Sequence, residues 1–194
     1  SSDVCSSDLA PRAVVPAGEL ANLNAGILEG IDDLGVSGNY VTVDGTQFLY
    51  KASNETVDFI DIVVSYGKRF YQWVDESDPN AKKFHNSDTK LDERYKLKFE
   101  IKWFEDRGEE EPTEFTQTLS TTSAMNFIDY IKGLAGKGLG VGQVVTRMTV
   151  SRQVSKDGKN RYSRVEFEAF DLNAYQNDEL VSLGVKTPDA KQID

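Results

Sequence analysis

The sequence predicts a mostly-β fold that contains one helix. Residues 95–104 alternate apolar and polar side chains, and this period of two indicates a strand that is buried on one face. Asp44-Gly45 separates two strand-like runs, and glycine tolerates the positive φ that a tight hairpin turn requires. Residues 121–135 combine an N-terminal run of Thr and Ser with apolar residues at helical spacing. These patterns predict antiparallel strands interrupted by a single helix.

Turn-forming and polar segments separate the strands. Residues 10–38 are rich in Gly, Ala and Asn, and we expect an arm with at most a short helix. Gly67 is expected to be a hinge between two strands, residues 75–93 a polar surface loop, and residues 105–114 a solvated hairpin loop. We expect strands at residues 40–43, 47–50, 59–66, 68–74, 95–104, 115–119, 144–154 and 161–170.

The helix and the last hairpin complete the expected architecture. Phe127, Ile131 and Leu134 recur at helical spacing, and five glycines between residues 133 and 142 end the helix. Antiparallel strands, one helix and a terminal hairpin together fit a small barrel with the helix at one end, for which the OB-fold is the commonest architecture. We therefore expect an OB-like small antiparallel β-barrel with extended hairpins.

The chain divides into four segments. Residues 1–9 (SSDVCSSDL) look like the conceptual translation of a short-read sequencing adapter, and we interpret them as a non-native artefact in a gene read from environmental DNA. Residues 10–38 form the N-terminal arm, residues 39–171 the OB-like domain, and residues 172–194 a flexible C-terminal tail.

Deleting residues 1–9 is expected to change the free energy of unfolding by less than ~1 kcal/mol, because a non-native segment makes no contact that folding requires. Urea denaturation of the full-length and shortened chains measures this difference. A larger loss of stability on deletion would show that the segment belongs to the fold.

Composition and charge exclude several classes of protein. The 194 residues carry a net charge of −10, which excludes a uniformly basic protein that coats nucleic acid but not a basic groove on an acidic body. No apolar run reaches the ~20 residues that span a bilayer, so no membrane association is expected. Cys5 is the only cysteine and lies in the adapter-like segment, so no disulfide or cysteine–metal site is expected.

No enzyme or cofactor motif emerges from the sequence. Residues 138–142 (GLGVG) follow the helix and precede a strand, whereas a phosphate-binding loop must open a helix. His85 is the only histidine and has no second metal ligand at a suitable spacing. Asp58, Asp61 and Asp75 are scattered among strand ends, and nothing pairs them as acid and base. We expect a protein without enzymatic activity, cofactor or metal.

Cations and aromatic side chains cluster in three stretches. In residues 68–73, strand alternation places Arg69, Tyr71 and Trp73 on one face, an arrangement suited to base stacking, although Tyr71 and Trp73 equally suit a core. The last hairpin has an Arg/Tyr face that suits either a DNA backbone or solvent. The candidate nucleic-acid-binding residues are Lys68, Arg69, Tyr71 and Trp73, then Lys96, Lys98 and Lys102, and finally Arg147, Arg152, Lys156, Lys159, Arg161, Tyr162 and Arg164.

Further short stretches suggest a family. These are residues 39–50, residues 60–71, and most clearly TTSA at 121–124, YIK at 130–132 and VVTR at 144–147. Over residues 39–170 the chain resembles a group of phage proteins related to single-stranded DNA-binding proteins. The resemblance implies single-stranded DNA as the ligand, phage replication proteins as further partners, and the cytoplasm of the infected bacterial host as the location. A homodimer is also considered.

Two functions remain open at this point. The favoured one is non-sequence-specific binding of single-stranded DNA in bacteriophage DNA replication or recombination. The alternative is a phage protein-interaction or structural β-barrel module that does not bind nucleic acid. The two differ in whether the basic and aromatic faces converge on one concave surface.

Overall fold

A computed structural model describes residues 39–187 of the chain. This part is mostly β with one main helix, as predicted from the sequence. The strands are β1 (Asn39–Asp44), β2 (Gln47–Tyr50), β3 (Glu55–Val57), β4 (Phe59–Ile62), β5 (Val64–Asp75), β6 (Lys83–Ser87), β7 (Lys96–Glu105), β8 (Thr113–Leu119), β9 (Val145–Val154), β10 (Arg161–Phe170) and β11 (Ser182–Lys186). The helices are α1 (Thr121–Gly136), a 3₁₀ turn (Val141–Gln143) and a short α2 (Leu172–Gln176).

The strands form two sheets. The seven-stranded sheet has the order β3-β2-β1-β8-β7-β5-β6, and the four-stranded sheet has the order β11-β10-β9-β4. Neighbouring strands are antiparallel except for β1 and β8, which pair in parallel over two register positions. The prediction of a closed barrel is therefore wrong. Within residues 39–187 the sheets do not close, because each ends in strands that pair on one side only.

Helix α1 packs between the inner faces of the two sheets. Ser120 is its N-cap residue, and Phe127 is 1% exposed. The ring centroid of Phe127 lies 4.9 Å from that of Phe99 in the seven-stranded sheet and 5.0 Å from that of Phe167 in the four-stranded sheet. The core thus lies on one face of the seven-stranded sheet and leaves its other face outward.

Gly67 is not the expected hinge, since β5 continues through it. A Cβ atom at this position would lie 3.0 Å from Cε1 of Phe99, so the glycine admits the phenyl ring against the strand. The strand structure is interrupted instead at Val63, between β4 and β5, where the chain passes from the four-stranded to the seven-stranded sheet.

Two segments expected to be irregular contain regular structure. Residues 75–93 include β6, which pairs with β5 and places His85 opposite Trp73. Of the expected flexible tail, residues 172–187 form α2 and β11, and both Tyr175 and Val185 are 7% exposed. The expected artefact (residues 1–9), the expected arm (residues 10–38) and residues 188–194 lie outside the described residues.

Residues 105–114 are not wholly the solvated loop expected, because Glu105 ends β7 and is 3% exposed. Its carboxylate accepts hydrogen bonds from the Tyr50 hydroxyl at 2.6 Å and from the Trp103 indole N–H at 3.0 Å. Arg107 Nε donates a further bond to it at 2.9 Å. These donors satisfy a buried charge that would otherwise be costly.

None of the helices in the described part of the chain is long and apolar enough to cross a membrane.

Candidate nucleic-acid interface

The outward face of the seven-stranded sheet carries lysines and aromatic rings side by side. On β5 and β7, Tyr66 lies opposite Lys102 and Phe70 lies opposite Lys98. Directly opposed residues of an antiparallel pair project from the same face of the sheet. Every second residue along each strand projects from that face as well. We call this surface the lysine–aromatic face, and its defining residues are Tyr40, Tyr66, Lys68, Phe70, Phe84, Lys96, Lys98 and Lys102.

Neighbouring strands extend this face at both sides. Phe84 of β6 lies opposite Val74, which shares the Phe70 face of β5 by alternation. Tyr40 of β1 lies beside Thr116, which in turn lies opposite Lys102. The side chains of Tyr40, Tyr66 and Phe84 are 46%, 43% and 62% exposed. Rings this exposed are available for stacking.

A depression of about 430 Å³ lies on the face between Tyr66, Lys68 and Lys102. Lys102 Nζ sits 5.3 Å from the ring centroid of Tyr66 and 3.9 Å from the carboxylate of Glu114. Lys68 Nζ lies 3.4 Å from Asp88. These ion pairs are solvent-exposed or half-exposed and therefore weak, so phosphate can compete for the lysines.

Lys98 differs from the other lysines of the face because it is half-buried. Burial lowers the pKa of its ammonium group, since a desolvated charge is disfavoured. Lys98 lies opposite Phe70 in the strand pair, so the cation and the ring are neighbours on this face. A bound phosphate would stabilise the charged form of Lys98, which burial disfavours.

The side of β5 on which the sequence predicted base stacking is the one turned away from the lysine–aromatic face. Arg69, Tyr71 and Trp73 share one side, as expected, but they lie opposite Phe99, Leu97 and His85. The indole of Trp73 stacks on His85 with centroids 4.7 Å apart, and the guanidinium carbon of Arg94 lies 4.0 Å from the Trp73 ring. His85 and Arg94 thus already pack against the Trp73 ring, where a base would have to stack.

Arg147 is held inside the protein by an acid from another strand. Its Nε and Nη2 donate to the two carboxylate oxygens of Asp61 at 2.7 and 2.9 Å. These hydrogen bonds raise the pKa of the Arg147 guanidinium above its ordinary value. The Tyr175 hydroxyl also donates to Asp61, at 2.8 Å, and the guanidinium carbon of Arg147 lies 4.3 Å from the Phe59 ring. The geometry favours a structural role for Arg147.

The remaining cations of the β9–β10 hairpin fall into two groups. Arg164 Nη2 lies 2.8 Å from Glu166 Oε1, an acid on its own strand face. Arg152 is exposed and donates to the Ser163 hydroxyl at 3.1 Å. Lys156, Lys159 and Arg161 are exposed at or beside the hairpin tip, and Tyr162 is half-buried.

The predicted site residues therefore do not all converge. Lys68, Lys96, Lys98 and Lys102 share the lysine–aromatic face, while the other predicted residues lie on the reverse of β5 or on the β9–β10 hairpin. Tyr40, Tyr66, Phe70 and Phe84 were not among the residues predicted from the sequence. The alternation of Tyr66 and Phe70 with Lys68 was the available signal, whereas Phe84 stood in a segment expected to be a loop.

Comparisons of the chain with protein-family models, with curated proteins and with solved structures found no significant match. Within residues 39–187, no group of three or more His, Cys, Asp or Glu side chains is placed to hold a metal ion. Function is therefore inferred from the surface geometry.

Proposed function

We propose that the chain binds single-stranded DNA, without sequence specificity, through the lysine–aromatic face. The observation that carries this proposal is the presence of exposed rings and four lysines on one sheet face. Lysines neutralise phosphates and release counterions, while rings stack on bases of any identity. A surface of this composition suits a strand whose bases are unpaired.

The surrounding charges favour single strands over duplex. Asp88, Glu100 and Glu114 border the lysines, and the whole chain carries −10. Stacking on Tyr66 and Phe70 requires bases that are free to leave a helix, which duplex DNA does not offer. The acids repel a duplex, which has the higher charge density, more strongly than a flexible strand that can be drawn onto the rings.

The proposal extends to a biological setting. The resemblance of residues 121–124 and 144–147 to phage proteins related to single-stranded DNA-binding proteins supports a role in bacteriophage DNA replication or recombination. That role would place the protein in the cytoplasm of the infected host, with phage replication proteins as partners and a second copy of the chain as a further candidate.

A second candidate function is a protein-interaction or structural β-module. It is favoured by the apolar side chains of Leu180 and Val181, which are 41% and 46% exposed beside β11. Titration of labelled oligo-dT and a matched duplex separates the two functions. We expect the protein to bind oligo-dT more tightly than the duplex, and absence of oligo-dT binding at moderate salt would favour the interaction module.

The salt dependence of binding locates the phosphate contacts. Replacing Lys96 and Lys98 by glutamine is expected to flatten the slope of log K against log salt by about 1.4, since each phosphate contact to a single strand contributes roughly 0.7. Fluorescence anisotropy with oligo-dT at several salt concentrations measures the slope.

The matched control replaces Lys156 and Lys159, two lysines at the tip of the β9–β10 hairpin, by glutamine. This variant carries the same change in net charge and is expected to keep the wild-type slope. An equal change in both variants would show a general charge effect, and a change confined to the control would move the DNA backbone to the hairpin.

A further inference from the structure

A cleft opens where β1 separates from β8. The two strands pair only at Asn39 and Tyr40, and beyond these positions residues 41–43 and 117–119 line a cavity of about 720 Å³. Ser123 of α1 and Val165 of β10 also line it, and a hydrogen bond between them, from the Val165 backbone N–H to Ser123 Oγ at 2.9 Å, ties the helix to β10. The volume lies within the range of small-ligand sites.

Gln117 lines this cleft and carries an unpaired polar atom. Gln117 is 2% exposed, and its Oε1 has no hydrogen-bond partner among residues 39–187. A buried acceptor without a donor costs roughly 1–3 kcal/mol, so native proteins rarely keep one without a reason. The position across the strand pair is Ile101, a fully buried apolar residue, so the fold itself does not require an amide here.

The mouth of the cleft joins the lysine–aromatic face. Tyr40 and Phe84 belong to that face and also line the cleft, together with Lys51 and Gln72. A strand lying across the face therefore passes an opening flanked by two exposed rings and a cation. This continuity places Gln117, which carries the unpaired acceptor, in the wall of an opening that a base can enter, because an unstacked nucleotide can turn away from its neighbours.

We propose that the cleft receives one nucleobase of the bound strand and that Gln117 Oε1 accepts a hydrogen bond from its Watson–Crick edge. This inference rests on the proposed function. Every DNA base carries an N–H donor on that edge, so one acceptor holds any base and preserves the lack of sequence specificity. Tyr40 and Phe84 stack at the mouth, and Lys51 binds the adjoining phosphate.

The test uses two probes of equal length, oligo-dT and oligo-dT in which every thymine is methylated at N3. Methylation removes the N3–H donor and leaves the rings and phosphates. Wild-type protein is expected to bind the methylated probe about 3–10-fold more weakly, the loss of one hydrogen bond. Gln117→Met is expected to bind both probes alike, at the affinity of wild type for the methylated probe.

A purely structural role for Gln117 predicts that Gln117→Met lowers the urea midpoint and still discriminates between the two probes as wild type does. The proposed role predicts the opposite. Gln117→Met removes a buried unpaired acceptor and keeps the side-chain length, so its urea midpoint should equal or exceed that of wild type. Gln176→Met, on the exposed surface of α2, is the control and should behave as wild type towards both probes.

The outcomes separate the two proposals. Equal binding of both probes by wild type overturns the base cleft and leaves the lysine–aromatic face intact, and this measurement needs no variant to fold. Equal discrimination by wild type and Gln117→Met also overturns it. Failure of wild type to bind oligo-dT at all overturns the proposed function and the cleft together.

Discussion

Replacing Arg147 by methionine is expected to lower the free energy of unfolding by about 3–5 kcal/mol, because it leaves a buried acid without its counter-charge. The Asp61 side chain is fully buried, while that of Arg147 is 18% exposed. Within residues 39–187, the Tyr175 hydroxyl, at 2.8 Å, would then be the hydrogen-bond donor left to the Asp61 carboxylate. Urea denaturation of the variant measures the loss.

Arg152 provides the matched control, since it lies on the same strand and is exposed. Arg152→Met is expected to change stability by no more than about 0.5 kcal/mol. The double variant Asp61→Asn/Arg147→Met should be more stable than Arg147→Met alone, because it leaves no unpaired charge. A stable Arg147→Met variant with weakened DNA binding would instead support the backbone contact that the sequence suggested.

The element pattern was largely predictable from local sequence. β7 could be read from its alternation, with Phe99, Ile101 and Trp103 buried as expected, and α1 from its apolar spacing. Whether the strands close into a barrel could not be predicted from the sequence, because closure depends on pairings between distant residues. The parallel contact of β1 with β8 joins residues 76 positions apart, Asn39 to Phe115, and carries no local signal.

The sequence also did not show which cations form ion pairs within the protein. Arg147 and Asp61 are separated by 86 positions, and only the pairing of β4 with β9 brings them together. Lys96 and Lys102 belong to a regular row whose outward direction follows from the burial of the intervening apolar residues. Periodicity therefore located the lysines of the face correctly but could not show which arginines were already paired.

The choice between the two faces of β5 was underdetermined for a similar reason. Alternation separates Phe70 from Tyr71 and Trp73, but it does not say which set faces outward alongside the lysines. The register with β7 decides this, since Phe70 lies opposite Lys98 and Tyr71 opposite Leu97. Residues 75–93 are polar enough to predict a loop, so the strand that places His85 against Trp73 was also missed.

Replacing Tyr66 or Phe70 by alanine is expected to weaken binding of single-stranded DNA by about 1–3 kcal/mol for each ring, which is the usual loss per stacked base. The double variant should lose more than either single variant. Tyr66 is 43% exposed and Phe70 is half-buried on the outward face, so we expect the fold to survive both changes. Oligo-dT anisotropy measures affinity, and circular dichroism melting verifies the fold.

Trp73→Ala is the comparison that decides which side of β5 carries the strand. The Trp73 indole already contacts His85 and Arg94, so its loss should reduce stability while leaving oligo-dT affinity close to that of wild type. Tyr66→Ala should show the reverse pattern, reduced affinity with unchanged melting. If Trp73→Ala melts as wild type but binds oligo-dT less tightly than Tyr66→Ala does, the bases stack on the Trp73 side, and the lysine–aromatic face is not the DNA interface.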